Sequence, residues 1–117
     1  MKNDLLKLAG LCEVTKSDEM NTFAQKRHDG AEKIADNAKE KGGTALLTYH
    51  HFKVKLPYYK KAVDGKFNFD AAKKEYVKLC SELHSYMNKI EDLDQTKFQE
   101  LVGKIEVVGE LLIRSKD

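Results

Sequence analysis

Apolar residues return along this chain every three or four positions, and four long stretches hold that rhythm well enough to read as amphipathic helices. The first opens at Ser17, a plausible N-cap followed by Asp18 and Glu19, where the helix dipole favours acids. Its stripe runs Met20, Phe23, Ala24, Ala31, Ile34, Ala35 and Ala38, small enough in its second half to admit a close neighbour. Arg27 falls inside that stripe, and Gly30 costs about 1 kcal/mol relative to alanine within a helix. A break at His28-Asp29-Gly30 is therefore expected, and Gly42-Gly43 ends the stretch.

Thr44 to Val63 is the second stretch, with Thr44 as its expected N-cap. One stripe is Ala45, Tyr49, Phe52, Leu56, Tyr59 and Val63; a second, on the opposite side, is Leu47, Val54 and Tyr58, joined by His51. Pro57 removes a backbone donor and clashes with the preceding turn, which predicts a kink or break near Lys55. Asp64-Gly65 closes the segment.

The third stretch, opened by Asn68 or Asp70, carries Phe69, Ala72, Tyr76, Leu79, Cys80, Leu83, Met87 and Ile90 as a core-facing stripe. The fourth, capped by Asp94 or Asp92, carries Phe98, Leu101, Val102, Ile105, Val108, Leu112 and Ile113. Gly109 lies in the middle of that last stripe, where a missing side chain permits a close approach, while Val107 and Leu111 point away from it. Ahead of all four, Asn3 or Asp4 caps a short leucine-rich helix that stops at Gly10, too short to stand alone in water. These elements predict an all-α fold: one domain over residues 1–117, a bundle of four main helices with a short N-terminal helix.

Composition agrees. With 117 residues the chain can bury a real core, and a single proline with no tryptophan argues against a loop-rich β domain. The net charge of +2 is too small to imply a nucleic-acid partner, but the charge is unevenly spread. Residues 53–66 hold five lysines and one aspartate, whereas residues 91–110 hold six acids and two lysines. Cys12 and Cys80 form no ligand-spaced cluster, and Cys80 reads as a reduced core thiol, which favours a cytoplasmic setting. No N-terminal run resembles a signal peptide, and nothing approaches the ~18 apolar residues of a membrane span.

Candidate chemistry is sparse. His28 and Glu32 lie four apart on one helical face and are a candidate metal pair, with His84 as a third ligand. A di-iron bundle requires Glu-x-x-His pairs, and the spacing Glu82-Leu83-His84 misses that by one residue. Half-buried or capping histidines account for the pattern without a metal, so no metal or other cofactor is expected. Cys80 and His84 are also four apart, but a core-directed thiol makes a poor nucleophile, and no catalytic residue is assigned. For nucleic acid, Lys53, Lys55, Lys60, Lys61 and Lys66 interleave with Tyr58, Tyr59 and Phe67, supplying phosphate contacts and stacking surfaces. No arginine joins them, and lysines routinely edge apolar helix faces.

The interaction reading uses the most features. A helix apolar on two sides is either enclosed within one chain or covered by a second copy. Leu47, His51, Val54, Tyr58, Val107 and Leu111 are the candidate interface, and the basic middle and acidic end of the chain would meet across a two-fold axis. The expected function is thus a non-enzymatic interaction or structural protein whose partner is itself, as a homodimer, or another protein. The leucine-rich start, the Gly42-Gly43-Thr44 turn and the Pro57-Tyr58-Tyr59 helix resemble small helical accessory proteins of bacteria or phages, a likeness that carries no functional residue over.

Overall fold

A computed structural model of the chain describes residues 11–89 and 94–116, with side chains placed for 19–88 and 94–115. Every regular element among the described residues is a helix: α1 (Leu11–Lys41), α2 (Ala45–Lys53), α3 (Leu56–Val63), α4 (Phe69–Lys89) and α5 (Gln95–Lys116). The fold is all-α, as the periodicity predicts. The leading helix expected over residues 3–10 lies outside the described residues.

The helix ends follow from particular residues. Gly42 adopts φ +66°, a left-handed conformation that suits glycine, and its N–H closes on Ala38 O at 3.1 Å to end α1. Thr44, expected as a cap, has helical backbone angles and its hydroxyl caps nothing, so the glycine pair alone makes this turn. At the end of α3, Gly65 (φ +74°) donates to Ala62 O and Lys66 donates to Lys61 O, the paired bonds of a Schellman motif. Asn68 caps α4 by accepting the Ala71 N–H at 2.8 Å, and Asp94 caps α5 by accepting from Thr96 and Lys97.

Two expectations about breaks come out differently. The one at Pro57 is present: α2 ends at Lys53 and α3 starts at Leu56, with the proline in its first turn, where a missing N–H costs nothing. The one at His28-Asp29-Gly30 is absent, and α1 runs unbroken from before Ser17 to Lys41. Gly30 sits on the exposed side, while Ala24, Ala31, Ala35 and Ala38 are buried to either side of it along one face. Packing of that small-residue face outweighs the weak preference against glycine.

α1 folds back antiparallel on α2 and α3, so that Lys39 lies over Tyr49 and Arg27 reaches the level of Tyr59. α5 lies against α2 and α3 and runs parallel to them. Its contacts climb in step with theirs: His51 with Gln99, Lys55 with Glu106, Tyr59 with Glu110. α4 then packs antiparallel on the far side of α5, its Tyr86 hydroxyl pinning Asp94 and its Tyr76 ring lying over Gly109. The order in space is α1, α2–α3, α5, α4, and the molecule is flat, 59 × 32 × 20 Å. α2–α3 is apolar on two sides because it has helices on two sides.

This order corrects several placements. Val107 and Leu111, expected to point away from the main stripe, are completely buried, in one core cluster with Ala24, Tyr59 and Ala62. Tyr76, Met87 and Ile113, expected inside, are 36%, 55% and 70% exposed, because among the described residues α4 packs extensively on α5 alone. Cys80 is half-buried.

Among the described glycines the tightest approach is at Gly103. A Cβ there would lie deep inside van der Waals contact of the His51 carbonyl oxygen and 2.8 Å from Val54 Cγ2. Gly103→Ala is therefore expected to push α5 off α2 and destabilise the fold by about 2–3 kcal/mol, the scale of core overpacking. Gly30→Ala meets nothing within 4 Å and is expected to stabilise by up to ~1 kcal/mol. Urea denaturation of the two variants beside wild type checks both signs at once.

Candidate functional site

The face that α5 turns toward α2–α3 and α1 carries Gln99, Gly103, Glu106 and Glu110, spaced as one helical stripe, with three polar side chains around one glycine. Each finds a partner. His51 reaches Gln99 Oε1 through Nδ1 and Glu106 Oε1 through Nε2, both at 3.0 Å. Lys55 Nζ donates to the same Glu106 oxygen at 2.9 Å and lies 4.7 Å from the centre of the Phe52 ring. Glu110 accepts the Tyr59 hydroxyl on one oxygen and Arg27 on the other, with Arg27 Nε at 2.8 Å. At the upper end of α2, His50 stands 3.6 Å from Glu100. The acidic end and the basic middle of the chain do meet, but within one chain.

Electrostatics follow from these pairs. Partial burial pushes the Glu106 carboxyl up, but hydrogen bonds and charge from Lys55 and His51 outweigh that and hold it below its ordinary 4.5. Burial drives the Tyr59 hydroxyl well above its ordinary 10, reinforced by its bond to Glu110. Tyr58 is raised likewise, first by burial and then by its 2.6 Å bond to Glu75 on α4.

The residues expected at an interface are thus engaged inside the chain. Leu47, His51, Val54 and Tyr58 are half-buried; Val54 lies at the Gly103 crossing, His51 bridges α2 to α5, and Tyr58 bridges α3 to α4. Tyr58 is not the free residue its sequence position suggests. The nucleic-acid set is broken up in the same way. Lys55 is buried at 8% exposure against Glu106, and Tyr59 is core. Lys53, Lys60, Lys61 and Lys66 are exposed, Lys60 beside Asp64 and Lys53 over Tyr49.

For metal, His28 and Glu32 do converge, joined by Asp29 rather than by His84, with ligand atoms within 4.8 Å of one another. Asp29 and Glu32 are exposed, and Asp29 already accepts from Gln25 at 2.9 Å. His84 is on α4, where Asn88 donates to its Nε2 at 3.0 Å. It shares a shallow pocket with Cys80, Tyr76 and Val77, yet among the described residues no hydrogen bond joins it to the thiol. The larger cleft between α4 and α5, about 1080 Å3, is lined by Lys78, Lys97 and Lys104 together with Glu82 and Glu100, a mixture that selects no one charge of ligand.

An apolar surface also remains exposed. Val77, Cys80, His84 and Met87 share one side of α4, beside the Leu79, Leu83 and Tyr86 edge that packs against α5, with Tyr76 at the border between the two. Beside Tyr76 a groove of about 560 Å3 is lined by Phe23 of α1 and by Ile105, Gly109 and Ile113 of α5, with Glu106, Glu110 and Arg114 also on its lining. Arg114 lies over the Phe23 ring at 4.6 Å. Gly109, expected to allow a close approach, does so: a Cβ would sit 3.1 Å from Tyr76 Cε1. Among the described residues no helix is long and apolar enough to cross a membrane. Comparison with family models, curated proteins and solved structures finds no match for the chain.

The polar ladder sets a pH dependence. Glu106 titrates lower folded than unfolded, so its contribution is complete above about pH 4.5 and is lost as pH falls through the folded value. Tyr58 and Tyr59 titrate higher folded than unfolded, so theirs is complete below about pH 10 and is lost as pH climbs beyond it. Thermal melts across pH are expected to show both arms. Glu106→Gln should flatten the acid arm and leave the alkaline one, and Tyr59→Phe should do the reverse; tyrosinate absorbance in the same samples reports the alkaline event directly.

Proposed function

We propose that this chain is a non-enzymatic interaction protein that acts by self-association, and that the surface it uses is the side of α4 left open among the described residues, with the neighbouring end of α5. One observation carries the reading. Tyr76, Val77, Met87 and Ile113 are 36%, 64%, 55% and 70% exposed. Scattered singly, exposed apolar residues need no explanation, but three of these share one face of one helix with Cys80 and adjoin an apolar groove. A contiguous face of that kind marks a contact surface. Of the lysines that would have served a nucleic acid, Lys55 is committed to Glu106, and Tyr59, which would have stacked beside them, is committed to Glu110.

The second side of α2–α3 is not part of this proposal, because α5 occupies it. Sedimentation velocity over a wide concentration range tests the reading. Wild type is expected to pass from monomer to dimer as concentration rises. Val77→Glu combined with Ile113→Glu, both at exposed positions, is expected to stay monomeric with unchanged helical circular dichroism. A wild type that stays monomeric at the highest concentration overturns self-association.

A further inference from the structure

We draw no further inference here: the strongest candidate, the open side of α4 around Val77, Cys80 and Met87 with the groove beside Tyr76, belongs to the surface already described, and nothing among the described residues shows the direction in which a second copy would lie on it.

Discussion

The Gly103 crossing is the constraint on which the rest of the arrangement depends. A helix cannot come so close to the His51 carbonyl with any side chain at the contact point, and this approach places α5 in the α2–α3 groove rather than α4. Once the backbones are that close, the side chains a turn away on either hand are forced together. Those are Gln99, Glu106 and Glu110 on α5, and His51, Lys55 and Tyr59 on the other side. Polar groups taken from water at such a seam must be paired, and here they are, in a ladder that fixes the register of two parallel helices. An apolar seam of the same size would bury as much surface and tolerate sliding by a turn. The ladder does not.

From that choice follows the position of α4. The chain leaves α3, crosses to the outside of α5, and returns along α5 through the residues that pack beside α3. In a closed four-helix bundle each helix has two neighbours, and a stripe about 160° wide is consumed. Among the described residues α4 packs extensively on one helix alone, so part of its stripe is covered by α5 and part is left. The exposed face is thus a consequence of topology acting on an ordinary amphipathic sequence. No unusual residue made it.

This explains what could be read in advance. Element positions were legible because they depend on local signals: Pro57, the two glycine stops, Asn68 and Asp94. The double apolar character of residues 44–63 was legible too, as a demand for two neighbours. What was hidden was who the neighbours are, since periodicity gives the direction of a face and not its partner. Val107 and Leu111 were placed outside because the α5 stripe was read as facing one helix, whereas α5 packs on two sides. Gly109 was singled out in the last helix, and Gly103 was not. The signal that was available was the run Gln99, Gly103, Glu106, Glu110: acids at helical spacing around a glycine, opposite a main apolar stripe. Counted only as negative charge, it suggested a partner across a two-fold axis; placed on a helical wheel, it is a stripe seeking cations, and His51, Lys55 and Arg27 supply them from one chain.

The same accounting separates the parts of the surface that fold the protein from the part left for a partner. Salt-sensitive attraction between the basic middle and the acidic end is spent at the α5 seam, and an interface built on it would compete with folding. Lys55 makes the point most sharply, since its ammonium at 8% exposure is committed to Glu106 and would have to give up that carboxylate to serve another partner. The α4 face is under no such obligation. Covering it disturbs no hydrogen bond across α5, and leaving it bare costs the monomer only the exposure of apolar surface to water. A contact that forms there is therefore expected to be driven by burial, to be nearly indifferent to salt, and to leave the polar ladder as it stands.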